Sequence, residues 1–232
     1  LQKVTAGLGR MLRRLTQQGL LKVAGTAKGR RIVVTMDGGR MRLREHRKGK
    51  TKKGRQRFSP QWREPRLFVI YAVDENGRQA DDFPPIIDGS LGSCDEFFGL
   101  LQAHLKGLGI GEAARVLFVA DGAAWIWRRV PKRIRAMGLK DGQARQLIDF
   151  WHAVEYLGKL AESGRLEGSA KKRWLTTQKK RLLRGEIGSV VEELKQLVGQ
   201  RPTKSQQTWL NYFRTHGLNH RRMDYRVSRD QK

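Results

Sequence analysis

The chain has 232 residues, 38% of them hydrophobic, which supports one sizeable core and excludes wholesale disorder. Lys and Arg number 48 against 22 Asp and Glu, a formal net charge of +26. Self-repulsion on that scale destabilises a compact chain, and a phosphate polyanion is the usual reason for it.

A single cysteine, Cys94, excludes an internal disulfide and every multi-cysteine zinc motif. No apolar run has the length of a membrane span, and no secretory signal opens the chain, so a reducing bacterial cytoplasm is the expected setting. No basic amphipathic helix dominates, which argues against an anionic membrane surface as the partner. A generic basic protein of ribosomal type remains the alternative to an enzyme. The first residue is Leu1 and the last stretch is polar and basic, so the sequence is expected to be a fragment.

In chain order, Val4, Leu8, Met11, Leu12 and Leu15 recur at helical spacing, predicting a helical lead-in over 1–28 that Gly25 and Gly29 end. The apolar run Ile32-Val33-Val34-Thr35-Met36 predicts a buried strand over 31–38, closed by Asp37-Gly38-Gly39. Residues 46–57 carry seven cations and no acid: Arg47, Lys48, Lys50, Lys52, Lys53, Arg55 and Arg57. With Gly49 and Gly54 among them, they read as a mobile loop or hairpin tip, either merely solvated or a phosphate-contacting arm. Arg40, just past the first strand, is a further candidate contact.

A second strand is predicted over 67–73, and Asn76-Gly77 is a strong hairpin signal. A third strand should leave from Arg78 and end at Pro84-Pro85. A helix is predicted over 94–108, then a fourth strand over 116–120 ending in Asp121-Gly122. Residues 123–137 read as helix, kinked or restarted at Pro131. Leu147-Ile148-Asp149-Phe150 reads as a short fifth strand, and 151–163 as helix. Residues 165–215 keep a helical period, with a break at Gly185 and Gly188. Lys171, Lys172, Arg173, Lys179 and Lys180 give this part a basic face.

The resulting order, β-β-β-α-β-α-β-α, matches an α/β ribonuclease H-like mixed sheet with a helical insertion after the fifth strand. The expected divisions are a lead-in over 1–28, a core over 29–164 and a basic helical part over 165–232. In that fold the first and fourth strands are neighbours, which would set Asp37 and Asp121 side by side.

Two carboxylates at one sheet edge suit Mg²⁺, a hard cation that takes oxygen ligands and keeps several waters. Mn²⁺ can substitute. Phosphodiester chemistry needs an activated nucleophile and a stabilised leaving oxygen, and paired divalent ions supply both. Asp37 and Asp121 are therefore the candidate metal ligands, with Gly38 and Gly122 leaving room beside them. Taken singly, each Asp-Gly also reads as an ordinary turn. Asp149 is expected to cap the next helix while His152 faces the site. Trp127 is expected in the core, and Trp125 either in the core or stacked on a base. His216 and His220 lack the partners of a zinc site.

Three segments together resemble the DDE-class transposases of bacterial insertion sequences, closest to the ISKra family of the Mutator-like group. They are Val34-Thr35-Met36-Asp37-Gly38-Gly39-Arg40, Phe118-Val119-Ala120-Asp121-Gly122-Ala123-Ala124-Trp125-Ile126-Trp127, and Leu147-Ile148-Asp149-Phe150-Trp151-His152-Ala153-Val154-Glu155-Tyr156-Leu157. The resemblance implies two-metal strand cleavage and joining at double-stranded transposon ends, by a homo-oligomer on DNA. It also implies a third acid, a glutamate on a helix after the insertion. No segment of this sequence matches it, so the isolated chain is expected to be catalytically poor. The alternatives are a nucleic-acid-binding protein that has lost the chemistry, or a ribonuclease H-like nuclease or resolvase.

Overall fold

In the computed structural model, which describes residues 2–21 and 24–228, helix α1 (Gln2–Gln17) leads into a mixed five-stranded sheet. Its strands are β1 (Arg31–Gly38), β4 (Arg66–Val73), β5 (Ile86–Ser90), β6 (Arg115–Ala120) and β7 (Ala144–Ile148). They lie in the order β5-β4-β1-β6-β7. Strand β4 is antiparallel to β1 and to β5, whereas β6 runs parallel to β1 and to β7. The strands that lead to Asp37 and Asp121 are therefore hydrogen-bonded neighbours pointing the same way.

The alternation along these strands explains the layering. Ile32, Val34, Met36, Phe68, Ile70, Val116 and Phe118 turn to one face and are buried. There they meet Phe97, Phe98, Leu101 and Leu105 of helix α2 (Cys94–Gly107) in one core. Each such side chain contributes about 1.5–3 kcal/mol, and a one-residue slip would turn the whole set outward. Ser93 and Glu96 start α2 with reciprocal side-chain caps. The opposite sheet face is far less covered near β4 and β5, where Leu67 is 52% exposed and Ile87 70%.

Several elements differ from expectation. The turn at Asp74–Arg78 forms, with Gly77 at φ +77°, but its return is one isolated bridge from Val73 to Gln79. The third strand of the sheet starts after Pro84-Pro85 instead of ending there. Two prolines remove two ladder donors, so pairing resumes only at Ile86. Residues 46–57 are the tip of a longer ribbon, strands β2 (Met41–Lys50) and β3 (Gln56–Arg63), which pair with each other apart from the main sheet. Both faces of the ribbon meet solvent, so no apolar alternation marks it.

The expected helix over 123–137 is two pieces, α3 (Ala124–Trp127) and α4 (Val130–Ala136), and Pro131 sits in the first turn of the second. Strand β7 begins three residues early, at Ala144, and stops before Asp149, because that side chain caps α5 (Phe150–Ser163) by accepting from the His152 amide at 2.9 Å.

Beyond α5 come α6 (Gly168–Leu183), α7 (Ile187–Val198) and α8 (Lys204–Tyr212). Gly185, at φ +73°, ends the first of these, while Gly188 lies inside the second. Their buried residues, among them Leu182, Val191, Leu194 and Leu210, join the same continuous core as the sheet. The chain then returns to the β7 edge, where the Arg222 carbonyl accepts from Ile148 N at 2.7 Å. The Arg222 guanidinium donates to Gln146 and lies 4.6 Å over Trp127, and burial lowers its pKa. No helix among the described residues is long and apolar enough to cross a membrane.

Candidate acidic cleft

Met36 and Ala120 are paired in the parallel register of β1 and β6, so the next residue of each strand, Asp37 and Asp121, leaves the same sheet edge. Both line one open cleft of about 440 Å³, together with Asp149, Trp151, His152 and Glu155. The α5 cap thus brings Asp149 and His152 to the two strand-end carboxylates.

Hydrogen bonds hold two of the three aspartates in their turns. Asp121 Oδ1 accepts from the Ala123 amide at 2.9 Å, and its carbonyl accepts from the Trp127 indole. Asp149 is fixed by its cap and by donation from its amide to the Ala120 carbonyl at 2.8 Å. Asp37, more exposed, accepts from the Gly38 amide at 2.7 Å. No ion pair among the described residues involves Asp37, Asp121 or Asp149. In a chain of +26, three uncompensated carboxylates around one cleft are a local reversal of sign.

The glycines beside the aspartates do not leave open room. A Cβ at Gly122 would overlap the ring of Tyr212 at the end of α8, and one at Gly38 would lie 3.2 Å from the Trp125 ring. The protein's own aromatics fill that space. Trp125 meets Phe97 and Phe98 edge-on at 5.4 and 6.1 Å, and the Arg66 guanidinium lies 5.2 Å from its ring. These are the contacts of a packing residue, and they account for Trp125 without a base.

Tyr212 is the residue that sequence reasoning missed. It stacks at 4.4 Å on Tyr156 and contacts His152 at 6.1 Å and His216 at 5.0 Å. Burial, and then Tyr225, Tyr156, Asp121 and Asp149, raise its pKa, keeping the phenol neutral. A π-helical turn, Phe213–Asn219, follows it and turns His216 inward. The only available signal was aromatic periodicity, which says nothing about a partner in a distant turn.

Burial, with Arg222 and His220 nearby, pushes His216 down to about 4, so its ring is neutral in the fold. The unfolded chain binds a proton near pH 6.5, and therefore stability is full above that value and falls toward pH 4. The loss is expected to be on the order of 2 kcal/mol, discounted for partial solvent access. Thermal melts from pH 7 to 4 check this: His216→Gln should flatten that part of the profile, and an unchanged slope would assign it elsewhere.

The predicted nucleic-acid contacts fall into two groups. Arg47, Lys48, Lys50, Lys52, Lys53, Arg55 and Arg57 are all exposed on the outer half of the β2–β3 ribbon, and Arg40 stands at its base. In the helical part, Lys172, Arg173 and Lys180 are exposed, while Lys171 is bound to Glu162 at 2.6 Å. Lys179 lies 5.5 Å over the ring of Trp151, which is 66% exposed at the cleft. Trp151 and Lys179 thus put an aromatic face and a cation at the rim of the acidic site.

As a metal site the cleft offers hard carboxylate oxygens, the donors that Mg²⁺ or Mn²⁺ prefers. Among the described residues no group of three or more His, Cys, Asp or Glu side chains is arranged to hold an ion. A hard cation bound here would be held by Asp37 and Asp121 and would need other oxygens, such as water, for the rest of its ligands. Comparison with family models, with curated proteins and with solved structures finds no match for the chain.

Proposed function

We propose that the chain is the ribonuclease H-like core of a DDE-class DNA transposase, with Asp37 and Asp121 as ligands of divalent metal. The observation that carries this reading is their placement: consecutive with paired residues of adjacent parallel strands, in one cleft, and without a cation partner among the described residues. The order β5-β4-β1-β6-β7, with β4 reversed and a helical segment after β7, supports the fold part of this reading. Bound Mg²⁺ would polarise the scissile phosphate and activate the attacking oxygen. Asp37 and Asp121 would hold it, and Asp149 fixes the turn that presents His152 to the same cleft. The basic ribbon and the cations of α6 would contact the DNA backbone, on which a homo-oligomer would pair two ends.

A second reading, a DNA-binding protein without chemistry, is favoured by the lack of a third metal-holding side chain among the described residues. One assay separates the two. Supercoiled plasmid is incubated with the chain in Mn²⁺ or in chelator. Slow, Mn²⁺-dependent nicks with extendable 3′-hydroxyl ends support the enzyme. Salt-dependent binding without any nick, at every Mn²⁺ concentration, supports the binding protein.

The basic ribbon gives a separate expectation. Reversing Lys50, Lys52 and Lys53 to Glu should lower duplex affinity by tenfold or more (order of magnitude) at low salt and flatten the dependence of log K on log salt. An unchanged affinity and slope would make the tip a solvated loop only.

A further inference from the structure

The β2–β3 ribbon has two unlike faces, and the difference follows from its register. Arg42 pairs with Trp62, Arg44 with Pro60, and His46 with Phe58. Since side chains alternate, these six residues share one face, confirmed by the 4.8 Å separation of the His46 and Phe58 rings. The face has no acid. Glu45, the ribbon's single carboxylate, is on the other face with Arg63, at 3.8 Å.

The aromatics of this face are not packed on the core. Trp62 is 59% exposed and Phe58 44%, and the ribbon pairs with no strand of the main sheet. Large rings left this exposed, on a ribbon that pairs with no strand of the main sheet, mark a surface for a partner. Arg40 lies 5.1 Å from the Trp62 ring, adding a cation to an aromatic surface. Aromatic rings set among arginines match one partner chemistry: bases that stack on the rings and phosphates that meet the cations. A base buried in a duplex presents no free face, so the partner must be unpaired.

We infer that this face, centred on Trp62 and Phe58, binds unpaired nucleotides. The surface is distinct from the acidic cleft, and the inference holds whether or not Asp37 and Asp121 do chemistry. The test measures binding of labelled oligo-dT, oligo-rU and a duplex to the whole chain in chelator. Trp62→Ala is expected to weaken single-strand binding about tenfold, with duplex binding changed less than about twofold and the salt slope intact. Trp62→Phe should retain most of the affinity, because it keeps a ring. Loss on oligo-dT, on oligo-rU or on both supports the inference and identifies the strand. An equal loss on duplex, or no loss on either single strand, overturns it. Thermal melts of both variants should match the parent, since Trp62 lies outside the core.

Discussion

Asp37→Asn is expected to reduce Mn²⁺-dependent nicking by on the order of 10³-fold, about 4 kcal/mol of transition-state stabilisation. The substitution keeps the shape of the side chain and removes the charge on which a hard cation depends. The residue is exposed at the end of β1, and among the described residues its side chain accepts one hydrogen bond, from the adjacent Gly38 amide, so the fold should be unaffected. Asp121→Asn should behave alike, because an amide oxygen can still accept from Ala123. The double variant should be no worse than either single one, since the two residues act as a unit. Nicking within tenfold of the parent for both single variants would remove these residues from the chemistry.

Gly122→Ala is expected to destabilise the fold by about 2 kcal/mol, or roughly 4–8 °C in Tm. The added Cβ meets the Tyr212 ring, which is wedged among Tyr156, His216 and Phe213 and has little room to retreat. Either α8 moves away or the Asp121 turn opens, and the second outcome displaces a proposed ligand. Nicking should therefore fall with stability. Combining Gly122→Ala with Tyr212→Ala tests the contact itself. The double variant should be less destabilised than the two singles added together, by about 1 kcal/mol. Strict additivity would mean that the ring and the turn are not in conflict.

What the residues reveal before folding follows from which forces leave a local trace. Apolar runs such as Ile32–Met36 and Val116–Ala120 announce buried strands, and the carboxylate after each could be placed without a structure. The Asp149 cap was legible because an aspartate before an apolar helix has a local mechanism. Strands β2 and β3 were not, since a ribbon solvated on both faces carries no periodic apolar signal. The start of strand β7 is hidden for a related reason. Arg145 and Gln146, near an edge, hide the first half of it. Gly122 was legible as a glycine but not in its purpose, which depends on a tyrosine from α8. Trp151 carries no local sign of its place, which is exposed and beneath Lys179. Contacts between distant elements leave no spacing to read.

In the proposed reading the two aspartates and the ribbon divide the work. The ribbon would supply its exposed cations to a polyanion, and the cleft would keep its carboxylates for a metal to neutralise. The docking of α8 behind the Asp121 turn adds a constraint, since the helical segment supports the geometry of the site and shares its core.

The most direct measurement is the paramagnetic broadening of backbone amide signals by substoichiometric Mn²⁺. The account predicts broadening centred on Gly38, Gly122 and His152 in the parent chain, lost in Asp37→Asn and in Asp121→Asn. Broadening centred elsewhere, or unchanged in both variants, would contradict it.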